Sequence, residues 1–60
     1  MKIVHQYKNA LNDTVYKFEH GFFAIDKNGI LKVYTNKCNL VAAEIHRLAK
    51  IAILKFNSLN

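Results

Sequence analysis

Sixty residues with nine Lys or Arg against four Asp or Glu, a net charge of +5, and 52% apolar residues describe one basic folding unit, 1–60, too apolar to stay disordered. A single cysteine excludes an internal disulfide framework, and even the longest uncharged apolar runs, Ile51 to Leu54 among them, are far short of a membrane span. A chain this short buries only about 60% of the surface its unfolded form exposes, so a metal or a second chain is the expected source of added stability.

Lys2 to Lys8, KIVHQYK, alternates with Ile3, His5 and Tyr7 on one side, and period two predicts a strand. Asn9, Asn12 and Asp13 in NALND have side chains that mimic backbone turns, which predicts a loop. Thr14 to Glu19, TVYKFE, is rich in β-branched and aromatic residues and predicts a second strand with Tyr16 and Phe18 inward. His20 and Gly21 then suit a tight turn; the alternative is a bulge within one longer strand, which would leave three strands instead of four. FFAID follows as a strand with Phe23 and Ile25 expected inward. DKNG, Asp26 to Gly29, has the residue order of a type I turn, and Ile30 to Thr35 forms the last strand with Leu31 and Val33 inward.

From Asn39 the apolar period becomes helical, with Val41, Ile45, Leu48, Ala52, Phe56 and Leu59 gathered on one side. Asn39 is expected to cap a helix over 40–56, and 57–60 to fray. The expected fold class is α+β: a small antiparallel meander of three or four strands with one long C-terminal helix packed on one face. Helix on sheet lets this order bury both apolar stripes in two layers.

That arrangement leaves Lys2, Lys8, Lys17 and Lys32 on the other sheet face with Val4, Phe22 and Tyr34. Cations interleaved with rings are how several small folds hold single strands, stacking bases on the rings and neutralising phosphate with lysine. A sheet can also lie in a duplex groove. Only Arg47 among the nine cations is Arg, which weighs against bidentate base reading and leaves lysine as a point charge on phosphate. The expected function is therefore a small basic nucleic-acid-binding protein, with Lys2, Lys8, Lys17 and Lys32 on phosphate and Phe22 and Tyr34 stacking. The layout is similar to that of plant-type AP2 domains and integrase arm-binding domains, which set a three-stranded sheet in the major groove. VAAEIHRLA resembles the alanine-rich start of the AP2 helix, while the arginine-studded strands and tryptophan of that pattern are missing, so no residue role is carried over.

The helix carries a second apolar stripe, Leu40, Ala43, Arg47, Ile51 and Leu54, on the side away from the core. A homodimer through paired helices is the expected use. The alternative from a different class is a protein-binding accessory or inhibitor, for example phage-encoded, that docks this stripe on a larger host complex. His5, His20, His46 and Cys38 match no zinc spacing, no glycine-rich phosphate loop is present, and two of the four carboxylates, Asp13 and Asp26, belong to turns. Cys38 stands just ahead of the expected helix, where a dipole could activate a thiol, but a small buried thiol is the commoner outcome. The expectation is a non-enzyme with no metal or cofactor. MKIVHQYKNA lacks the apolar centre of a signal peptide, and the expected location is the cytoplasm.

Overall fold

In the computed structural model, which describes residues 1–59, four strands run in chain order across one antiparallel sheet: β1 (Ile3–Lys8), β2 (Thr14–Phe18), β3 (Phe23–Lys27) and β4 (Ile30–Tyr34). One helix, α1 (Ala43–Ser58), follows and covers one sheet face. The α+β meander with a C-terminal helix is thus the fold of this chain.

Three short loops set the register. Asn9 Oδ1 accepts hydrogen bonds from the backbone N–H groups of Leu11 and Asp13, both at 3.0 Å, and so ties off the β1–β2 connection. Between β2 and β3 the chain makes a single turn of 3-10 helix, Glu19–Gly21, in which His20 has φ 65° and Gly21 φ 84°. Phe18 N–H donates to the Phe22 carbonyl at 2.8 Å across it, so this is a turn and not a bulge, and the sheet has four strands. Gly21 is required twice over, because a Cβ there would also stand 2.7 Å from Asn36 Cβ.

The third loop differs from expectation. Lys27 pairs with Ile30, leaving Asn28 (φ 55°) and Gly29 (φ 84°) as a two-residue connection with both φ angles positive, as in a type I′ hairpin rather than type I. Such a turn matches the right-handed twist of the strands it joins. Asp26 Oδ1 accepts from Gly29 N–H at 3.1 Å and steadies it.

Two faces of the sheet are assigned by the pairing. Tyr16 pairs with Ala24, and Ala24 with Val33, and this row faces the helix. The core comprises Tyr16, Phe18, Ala24, Val33, Ala49 and Ile53, with Ile3, Phe22, Leu31, Val41, Ala52 and Phe56 packed around it. Ala24 and Ala49, one on each layer, are both fully buried, and such small side chains let helix and sheet approach closely. Phe23 and Ile25, expected inward, stand on the opposite face because each lies one residue out of phase with Ala24. Phe22, expected outward, packs against the core.

A bulge corrects the first strand as well. Ile3 pairs with Phe18 and His5 with Lys17, so Val4 is the extra residue and the alternation slips by one at that point. Ile3 consequently joins the core while His5 and Tyr7 share the opposite face.

The helix begins later than expected. Thr35 N–H donates to the Asn39 carbonyl at 2.7 Å, Cys38 adopts φ 64°, and Leu40 pairs with Tyr34 before Val41 N–H donates to the Val33 carbonyl at 3.1 Å. The chain therefore runs extended beside β4 through the segment expected to be the first helical turn, and Ala42, not Asn39, takes the N-cap position without a side-chain cap. The buried helix positions are Ala49 and Ile53, whereas Leu48 and Leu59, expected in the core, are 50% and 86% exposed. The helix retains Asn57 and Ser58 of the stretch expected to fray; Asn60 lies outside the described residues. Hydrogen bonds from His46 Nε2 to the Leu31 carbonyl at 3.1 Å and from Asn57 Nδ2 to the Tyr16 hydroxyl at 3.3 Å tie α1 to the sheet.

Candidate functional site

The sheet face that α1 leaves uncovered is built of three rows. His5, Lys17, Phe23 and Tyr34 form the first, Tyr7, Val15, Ile25 and Lys32 the second, and Lys27 with Ile30 the third. Each row follows from cross-strand pairing, since residues directly opposite in an antiparallel pair share a face.

The rings are organised on this surface. Phe23 and Tyr34 stack with centroids 5.1 Å apart and planes at 21°, and His5 stacks on Tyr7 at 5.3 Å and 29°. Lys17 Nζ lies 5.8 Å from the Tyr7 ring centroid, within cation–π range. Val15 is only 4% exposed although the helix is on the far side, so its apolar neighbours on the same face shelter it. Ile30 is 64% and Tyr7 39% exposed, which keeps apolar surface open to solvent beside the lysines.

Two open depressions join on this face. The larger, roughly 550 Å³, runs between the β1–β2 loop and β4, with Leu11, Ile25, Ile30 and Tyr34 as its apolar lining and Lys27 and Lys32 at its rim. The smaller, roughly 310 Å³, lies over Val15 between Tyr7 and Phe23, with Lys17 beside it. Ile25 and Asn9 line both, so together they form one shallow trough across the strands. Among the described residues the three strand rows contain no carboxylate, and Asp13 touches the trough only from the loop. Lysines therefore outnumber carboxylates around the trough, with Lys17, Lys27 and Lys32 against Asp13.

Of the residues expected to make a binding surface, Lys17, Lys32 and Tyr34 come together here. Lys8 pairs with Thr14, in the row that continues to Asp26 and Leu31, and so belongs to the helix side of the sheet edge. Lys2 precedes β1 and is exposed at that corner, its carbonyl accepting Glu19 N–H at 3.0 Å. Phe22 is on the core side. Sequence reasoning missed His5, Tyr7, Phe23, Ile25, Lys27 and Ile30. A signal for most of them exists in Asn28-Gly29: read as a two-residue hairpin, it forces Phe23 onto the face of Tyr34 and Ile25 onto that of Lys32.

Of the second helix stripe, Ala43, Arg47, Ile51 and Leu54 lie on the exposed side of α1, with Ile51 43% and Leu54 61% exposed. Leu40 departs from it, since it belongs to the extended segment beside β4. Leu48 joins the exposed apolar residues instead.

His5, His20 and His46 stand on the open face, in the β2–β3 turn and on the helix, and among the described residues no three metal-ligating side chains converge. Cys38 is exposed in the loop after β4, several residues before α1, rather than buried or at the helix N-terminus. Among the described residues no helix is long and apolar enough to cross a membrane. Comparison of the chain with protein-family models, curated proteins and solved structures finds no match.

Proposed function

We infer that this protein binds single-stranded nucleic acid along the open sheet face and acts as a binding protein, not a catalyst. The observation that carries this reading is the union of Tyr7, Phe23 and Tyr34 with Lys17, Lys27 and Lys32 on one uncovered face whose strand rows hold no carboxylate. Rings on neighbouring strands offer stacking surface to unpaired bases, and lysines spaced along the trough meet the phosphates between them. Stacking is worth about 1–3 kcal/mol per base and accepts any base, while lysine supplies charge without the forked geometry that reads guanine. The expected behaviour is affinity for single strands with weak sequence preference. A duplex hides its base faces and would use only the charge.

The test is fluorescence anisotropy with labelled single-stranded and duplex oligonucleotides at about 50 and 200 mM salt. Wild-type protein is expected to prefer the single strand and to weaken steeply with salt. Lys17→Glu with Lys32→Glu is expected to weaken binding at both salt concentrations and to flatten the salt slope by about 1.4, at roughly 0.7 for each phosphate no longer neutralised. An unchanged slope in that double variant, with the fold intact by circular dichroism, would remove the sheet face from the reading.

A further inference from the structure

The solvent side of α1 holds a second pattern, independent of the sheet. Glu44, Leu48, Ile51 and Lys55 are all exposed and are spaced by four, three and four residues. At about 100° per residue this spacing keeps them within roughly 60° of one line along the helix, the seam of a two-helix pair. Ala49 and Ile53, buried against the sheet, fix the direction of the seam as away from the core. Leu48 and Ile51 are 50% and 43% exposed, apolar residues with no covering layer. Glu44 and Lys55 close the two ends of the seam, and among the described residues neither is in an ion pair.

The four positions are symmetric about the midpoint between residues 49 and 50. We propose that this seam pairs with the same seam of a second copy, the two helices antiparallel about a two-fold axis at that midpoint. Leu48 of each copy then meets Ile51 of the other, and Glu44 meets Lys55 at both ends. A parallel pair would set Glu44 on Glu44 and Lys55 on Lys55, so the charges select the antiparallel arrangement. An isologous contact of this kind uses one patch twice and closes on itself. It also supplies buried apolar area that a chain of this length lacks on its own.

The layers of such a dimer run sheet, helix, helix, sheet, with the two open sheet faces directed outward on opposite sides. Resting on the nucleic-acid reading above, the dimer bridges two single strands and does not clamp one, because a short strand lying on one face cannot reach the other. Linking two modest sites in this way raises avidity without any new contact.

Light scattering and sedimentation of the full chain, without nucleic acid, test the pairing first. Wild type is expected to be a dimer at about 100 µM. Glu44→Lys and Lys55→Glu, each alone, place like charges at both ends of the seam and are expected to weaken the dimer about tenfold. Mixing the two single variants restores attraction at both ends and is expected to yield a heterodimer, and the Glu44→Lys/Lys55→Glu chain is expected to dimerise as wild type does. Leu48→Glu, at an exposed position, is expected to give a folded monomer. A monomeric wild type, or single charge variants as dimeric as wild type, would overturn the pairing; so would a seam that is found occupied by a different protein in preference to its copy. Bridging is read separately, by energy transfer between two oligonucleotides carrying donor and acceptor. Transfer with wild type and none with Leu48→Glu, which still binds each strand, supports bridging. Binding of both strands by a proven dimer without transfer refutes it, and absence of strand binding with dimerisation intact refutes the nucleic-acid reading alone.

Discussion

The two faces of the sheet use similar side chains to opposite ends. On the helix side, Tyr16, Phe18, Ala24 and Val33 are at most 4% exposed and meet Ala49 and Ile53. On the open side, Tyr7, Phe23, Ile25, Ile30 and Tyr34 supply at least as many rings and branched chains, yet no layer covers them and Lys17, Lys27 and Lys32 stand among them. Antiparallel sheets commonly pack one face and solvate the other, and the solvated face is usually polar. An uncovered face this apolar is what the proposed binding of a ligand rests on. The comparison teaches that hydrophobicity alone did not decide which side the helix took. On the side it took, the fully buried Ala24 and Ala49 leave room for the two layers to approach closely.

Substituting equivalent rings on the two faces should break the molecule in different ways. Phe18→Ala, at 2% exposure, is expected to cost about 3–5 kcal/mol, comparable to the whole stability of so small a domain. Urea denaturation followed by circular dichroism should find it largely unfolded. Phe23→Ala is expected to cost only about 1 kcal/mol in the same assay and to weaken single-strand affinity about tenfold. Equal destabilisation by both would mean that the open face is a second core and not a free surface.

The two glycines sharpen the contrast between a crowded turn and a free one. Gly21→Ala meets both a left-handed φ of 84° and Asn36 Cβ at 2.7 Å, and is expected to cost about 2 kcal/mol or more. Gly29 has the same φ but nothing within 4 Å, so Gly29→Ala should cost about 1 kcal/mol. Matching thermal shifts for the two variants would show that the approach of Asn36 relaxes freely. The smallest effect is expected from Tyr16→Phe, which keeps the buried ring and loses the hydroxyl that accepts from Asn57 Nδ2 at 3.3 Å. A loss of about 0.5–1 kcal/mol is expected, because the exposed Asn57 amide can turn to water.

Much of the architecture is legible from local signals. Alternation marks β1 and β2, Asn9 and Asp26 mark turns whose side chains bond the backbone, and the change of period after Asn39 marks the helix. The candidate face is legible only in part. Lys17, Lys32 and Tyr34 can be found because their strands carry an unbroken alternation through those positions. Phe22 and Phe23 exchange places between the two readings because adjacent phenylalanines satisfy either phase of a strand, and only pairing with Tyr34 separates them. The exposure of Leu48 has a similar cause: Val41 and Leu48 fit one helical period, but Val41 is held in extended chain beside Val33 and so gives no guide to the face of α1.

The amino-acid sequence by itself determined a short antiparallel meander followed by a helix, the position of the Asp26–Gly29 turn and the excess of lysine, and it left three or four strands open. These rest on interactions between residues a few positions apart, which are the same in any surroundings. The phase of β3 had a local signal in Asn28-Gly29, whereas the slip at Val4, the late start of the helix and the gathering of Tyr7, Phe23 and Tyr34 with three lysines were decided only in the tertiary structure. Each depends on which strand lies opposite and on which side the helix finds room, and that competition is settled by long-range pairing and packing, not by local preference.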